Sequence, residues 1–164
     1  MAKSISVETK MKTPLVATLK TKTEPVLGQP IWVRLTITND SDQEIELTSP
    51  EVGVPNPDLN WNGSNEAYQV AVLMSFGLLQ ISLVDPNGGN VSSRGLMPWV
   101  TPLLGKRLLR PHDNLAVDFD IYELFSIDSP GVYKLRARYG DEATGAEASS
   151  DIEIKQPFHG GMRH

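Results

Sequence analysis

Hydrophobic and polar residues alternate with a period of two along several short stretches, the spacing of strands that bury one face and wet the other. The clearest run is Ile31 to Thr38, where Ile31, Val33, Leu35 and Ile37 share one side and Trp32, Arg34, Thr36 and Thr38 the other. Leu15 to Lys22 alternates more weakly, with Leu15, Ala17 and Leu19 together. Asn39-Asp40-Ser41-Asp42 reads as a polar turn, after which Ile45 and Leu47 are expected to return as the hairpin partner of Ile31 to Thr38. Leu79, Ile81 and Leu83 form a further strand that ends at the turn signal Asp85-Pro86-Asn87-Gly88-Gly89, with a short return near Val91. Leu115, Val117, Phe119 and Ile121 make the next, and Ile152 with Ile154 the last, ended by Pro157.

Between these strands lie two long connections rich in Pro, Asn and Gly, Ser49 to Asn65 and Gly95 to Asn114. Such loops are uncommon in compact domains and often carry function. Ala67 to Phe76 is apolar with no deciding period, and fits either a buried strand or a short buried helix. The segment Ser129-Pro130-Gly131 turns the chain into Val132 to Tyr139, where Tyr133, Leu135, Ala137 and Tyr139 face one way and Lys134, Arg136 and Arg138 the other. A Tyr just past such a corner holds the place of the tyrosine corner of Greek-key sandwiches, its phenol capping backbone. Seven or more short strands, with no convincing amphipathic helix, predict an all-β sandwich with two long inserted connections.

Several spaced residues carry a resemblance. Gly28-x-Pro30-x-x-Val33-x-Leu35-x-Ile37-x-Asn39 is followed by Asp85-Pro86-Asn87-Gly88, then Leu109-x-Pro111, then Phe125-x-Ile127-x-x-Pro130-Gly131-x-Tyr133. This pattern resembles bacterial immunoglobulin-like domains, in particular the intracellular proteinase-inhibitor type and the sandwich that accompanies deuterolysin-type metallopeptidases. The resemblance implies an immunoglobulin-like Greek-key fold over roughly residues 15 to 155 and, for the inhibitor type, a protease partner. The peptidase association brings no catalytic residues, because His-Glu-x-x-His is missing.

The 164 residues suit one domain, with 1–14 as an N-terminal extension, 15–156 as the sandwich and 157–164 as a tail. A net charge of −5 disfavours a general nucleic-acid surface. No apolar run reaches membrane-spanning length, so membrane insertion is not expected. There is no Cys, which removes disulfides, thiolate nucleophiles and Cys-ligated metals. A chain beginning as this one does would stay in the cytoplasm, while a removed leader would place it in the periplasm or outside the cell.

Catalytic chemistry finds little to stand on. His112, His159 and His164 are the three histidines, and none has a partner at metal-helix spacing. Nucleophile elbow, phosphate loop and dinucleotide fingerprint are all missing, so no enzyme, cofactor or metal is expected. His159, His164 and Met162 could hold a soft metal, but read better as a tail. Asp118 and Asp120, with Asp113 nearby, could share an acid-base task or a calcium ion, yet read as a solvated strand face. Lys134, Arg136 and Arg138 form a basic strip that Asp151 and Glu153 would neutralise across strands. Asp141, Glu142 and Glu147 read as solubilising charge.

The remaining candidates are binding residues: Trp32, Trp61, Trp99, Met97 and Tyr68. Trp61 either offers its ring to a sugar or protein or plugs the sandwich end; Trp99, among Leu96, Val100, Leu103 and Leu104, reads more as a plug. Trp32, on an outer strand face, either packs across strands or belongs to an interface. The expected function is a non-catalytic protein-binding or assembly module whose partner is another protein or a second copy, with the two connections as contact surface. A proteinase inhibitor presenting residues 97–102, or a carbohydrate-binding module using Trp61 and Trp99, are the alternatives.

Overall fold

A computed structural model describes residues 14–50, 65–93, 104–140 and 144–157. Residues 1–13 of the N-terminal extension, most of both long connections with Trp61, Met97 and Trp99, the pair Asp141 and Glu142, and residues 158–164 of the tail with His159 and His164 lie outside the described residues.

The fold is mostly β, with three antiparallel sheets among the described residues. One runs in the order β1 (Leu15–Thr21), β2 (Trp32–Asn39), β6 (Asn114–Asp120). A second runs β4 (Leu79–Val84), β7 (Gly131–Gly140), β8 (Gly145–Ile154). The third is a ribbon of β3 (Ile45–Pro50) and β5 (Leu104–Leu109). The inward residues of the alternating runs meet in one core: Val33, Leu35 and Ile37 of β2 and Tyr133, Leu135, Ala137 and Tyr139 of β7 are all buried within it.

Both sides of this sandwich-like body are closed. On one, β1 lies against β8, and the chain just past β1 bonds to the end of β8, with Leu27 N donating to Lys155 O at 2.9 Å and Lys155 N to Pro25 O at 3.0 Å. On the other, helix α1 (Asn65–Ser75) packs against β6 and β4. Covering exposed edges in this way blocks edge-to-edge pairing with other chains.

The apolar segment after the first connection is therefore a helix. Val70, Ala71 and Val72 are fully buried and Leu73 nearly so, which explains why no amphipathic period marks it. Its stop is a Schellman turn: Gly77 at φ 74 donates to Met74 O at 3.0 Å, and Leu78 N to Leu73 O at 3.0 Å.

Two pairings differ from expectation. β2 lies between β1 and β6, and β3 pairs not with β2 but with β5, a strand inside what reads in sequence as the second connection. Asn39, buried at 0% exposure, sits where the two strands part. Its Nδ2 donates to Gln43 O at 2.7 Å and to Leu109 O at 2.9 Å, and its Oδ1 accepts from Ser41 N and Ser41 Oγ. These bonds fold residues 39–43 into a turn that carries β3 out of the β2 sheet and docks it on the end of β5. β5 has no alternating pattern because Leu108 is 57% exposed while Leu109 is buried.

Two further boundaries move. Ile121 does not end β6 but opens the one-turn helix α2 (Ile121–Leu124), capped by Asp120. The last strand is longer than Ile152 and Ile154 suggest, because Ala146, Ala148 and Ser150 on its half-buried side are small or polar. The corner itself forms as expected: the Tyr133 hydroxyl, on a side chain 2% exposed, donates to Ser129 O at 2.6 Å.

Candidate binding face on the three-stranded sheet

The outer face of β1, β2 and β6 is set by the same parity that fills the core. With Val33, Leu35 and Ile37 inward, Trp32, Arg34, Thr36 and Thr38 must face out. Register places Lys20 of β1 on one side of Arg34 and Asp118 of β6 on the other, while Trp32 lies opposite Asp120. Asp118 receives a bidentate fork from Arg34, Nε to Oδ1 at 2.8 Å and Nη2 to Oδ2 at 3.1 Å, and Lys22 Nζ reaches Oδ2 at 2.9 Å. The hydrogen bond from Arg34 chiefly holds the Asp118 carboxyl below its usual range, against the opposing effect of partial burial; Lys22 adds to the lowering. The same bond raises the Arg34 guanidinium.

Trp32 is half-buried, and Lys22, Thr23, Trp32 and Asp118 line a shallow depression of about 290 Å³. Its backbone is pinned on both sides: Trp32 N donates to Thr23 Oγ1 at 3.1 Å and Trp32 O accepts from Lys22 N at 2.8 Å. An aromatic ring, two cations and a carboxylate are thus held together, chemistry suited to polar and aromatic contacts with a polypeptide.

The other candidates separate. Tyr68 is 6% exposed on α1, so its ring belongs to the interior and not to a contact surface. Asp118 and Asp120 do not act as a pair, for Asp120 Oδ1 accepts from Ile31 N at 2.8 Å and Tyr122 N at 2.9 Å, capping α2. Among the described residues, no group of three or more His, Asp or Glu could hold a metal ion. His112 is an exposed turn residue between Arg110 and Asp113. On the opposite sheet Lys134 faces Asp151, Arg138 faces Glu147 in register, and Arg136 Nε reaches Glu147 at 3.1 Å, so that strip is matched across strands. A polar cavity of about 450 Å³ lies at the corner, between the 85–91 turn and residues 126–133.

Lys20, Lys22 and the role of Asp118 go unnoticed in sequence. The signal was the parity of β1, since Lys20 and Lys22 fall opposite Leu15, Ala17 and Leu19; what it could not supply was β6 as the neighbour of β2.

No family model and no curated relative matches the chain. Among solved structures, a β-glucosidase from Listeria innocua in complex with isofagomine is similar at 16% identity and a TM-score of 0.37, over 87% of this chain and 16% of that one. A Bifidobacterium adolescentis GH3 β-glucosidase is similar at 12% identity and a TM-score of 0.31, over 83% of this chain and 17% of that one. The chain thus spans about a sixth of these enzymes, and at such scores nothing about its own fold or activity follows from them.

Proposed function

We propose that the chain is an immunoglobulin-like Greek-key sandwich that works as a non-catalytic protein-binding or assembly module, with the outer face of β1, β2 and β6 as a contact surface. The strand orders β1-β2-β6 and β4-β7-β8 support the fold reading, since they match the A-B-E and C-F-G sheets of that architecture. The parallel link from residues 25–27 to Lys155 and the Tyr133 bond to Ser129 O agree with it.

The observation that carries the functional reading is Trp32 itself. A Trp on the outer face of a sheet, half-buried beside a fixed Arg34–Asp118–Lys22 cluster, has a pinned backbone and a ring with apolar surface left in solvent. Trp and Arg are the residues that dominate protein interfaces, and here both are ordered before any partner arrives.

The test is Trp32→Glu in the full chain, compared with wild type by light scattering and by cross-linked pull-down. A charge at the centre of an interface loses hydration without a counter-charge, so the variant should dissociate an oligomer or partner complex while its circular dichroism stays that of wild type. A wild type that is monomeric at high concentration and retrieves no partner, with an indistinguishable variant, refutes the reading.

A further inference from the structure

Resting on that reading of the face, we infer that its partner is an acidic polypeptide segment, bound across Lys20, Arg34 and Trp32. The argument begins with an arrangement that costs stability. Lys20 and Arg34 stand directly opposite each other on β1 and β2, and like charges so placed repel. Arg34 is answered on its other side by Asp118, which also holds Lys22. The Lys20 side chain is exposed and makes no hydrogen bond or ion pair among the described residues. Two cations therefore share one carboxylate and a third has none.

Asp120, the other carboxylate on this face, is committed to the N–H groups of Ile31 and Tyr122. With both carboxylates counted, the three cations Lys20, Lys22 and Arg34 still outnumber Asp118 and Asp120, so the face is locally basic on a chain of net charge −5. Because charges act only within a Debye length of about 8 Å, a short acidic segment can lie wholly on this patch, whereas a long polyanion would run past it over the rest of a chain of net charge −5. That distinction favours a peptide segment over nucleic acid.

The donors are also prepared. The Arg34 fork spends Nε and Nη2 on Asp118 and leaves Nη1 unengaged, and the Lys20 ammonium is unengaged among the described residues. Because Asp118 already fixes Arg34, a carboxylate from outside meets a guanidinium whose ordering cost has been met, and the Lys20 ammonium beside it is free to turn to the same carboxylate. A carboxylate between Lys20 and Arg34 would turn their repulsion into a bridge, and an apolar side chain next to it would cover Trp32.

The experiment uses the full isotope-labelled chain and a synthetic peptide of glutamates around a central leucine, with a lysine counterpart and a single-stranded oligonucleotide as further probes. The glutamate peptide should shift amide signals of Thr18 to Lys22 and Trp32 to Thr36 and leave β7 and β8 unmoved. Lys20→Glu, which breaks no bond of the fold, should weaken binding about tenfold or more, and raising salt should weaken the wild type. No shifts, shifts elsewhere, an unaffected Lys20→Glu, or tighter binding of the oligonucleotide on this face would each overturn the inference. If Trp32→Glu disrupts a complex yet the glutamate peptide does not bind, the face still binds a partner and only its acidic character is refuted. If both tests fail, the face is not a binding surface.

Discussion

Removing the Asn39 side chain should loosen the junction of two sheets, and the size of the effect can be worked from its bonds. The carboxamide makes four hydrogen bonds, two donated from Nδ2 and two accepted at Oδ1, from a residue with 0% exposure. A net value of about 0.5–1.5 kcal/mol per bond would give roughly 2–6 kcal/mol if all four counted equally. They do not. The Ser41 hydroxyl is already within reach of Gln43 O at 3.1 Å and can turn to it or to water, so the bonds to Oδ1 are partly replaceable. The bond to Leu109 O is buried and has no substitute from solvent.

Asn39→Ala is therefore expected to cost about 2–4 kcal/mol, which for a domain of this size lowers Tm by roughly 5–15 °C. Asn39→Asp should be worse at neutral pH, because an ionised carboxylate would face the two carbonyl oxygens that Nδ2 now serves. Burial raises the pKa of such a group, so its penalty should shrink on acidification as the protonated carboxyl regains a donor. Thermal melts by far-UV circular dichroism, run on both variants at neutral and mildly acidic pH, check each step. An Ala variant within about 2 °C of wild type, or an Asp variant more stable than Ala at neutral pH, refutes the reasoning.

Three further outcomes are expected. Tyr133→Phe leaves Ser129 O without its 2.6 Å donor and should cost about 1–2 kcal/mol; an unchanged Tm would show that the hydroxyl does not hold the corner. Gly131→Ala should destabilise by about 1–3 kcal/mol or more, since the residue sits at φ 138 and an added Cβ would come within 2.5 Å of Pro86 Cγ; Pro86→Ala should recover the steric part, and strict additivity in the double variant would refute the contact. Asp118 has a lowered folded pKa, so its stabilisation is present above the unfolded value and lost as pH falls through the folded one: the Tm gap between wild type and Asp118→Asn should hold near neutrality and close below about pH 4, and a gap that persists in strong acid would refute the ion cluster.

What could be read from sequence was what depends on neighbours in the chain. The faces of β2 and β7 and the corner at Tyr133 follow from period two and from Pro-Gly, and all stand where the pattern puts them. The helix 65–75 has a local mark too, in the Gly77 that follows its apolar run, but burial on several sides erased the period that would have separated it from a strand. β5 and the first half of β8 were illegible because a ribbon that exposes Leu108, and a strand that turns Ala146 and Ala148 inward, offer no contrast between faces.

The candidate face shows why a site is harder to read than a fold. Asp118 lies 84 residues from Arg34 and 96 from Lys22, and nothing local says that its carboxylate meets theirs. That meeting depends on β2 lying between β1 and β6, which in turn requires β3 to leave β2 for β5. Asn39 braces that departure through its bonds to Gln43 and Leu109. One buried carboxamide, whose position reads in sequence as the start of an ordinary polar turn, thus steadies the strand order that brings Trp32, Arg34, Lys20 and Asp118 onto one surface. Repulsion between Lys20 and Arg34 is a cost the fold does not need, since a Thr at position 20 would satisfy the same parity and the same strand propensity. On the proposed reading of this face, that cost is offset when a carboxylate from outside bridges the two cations.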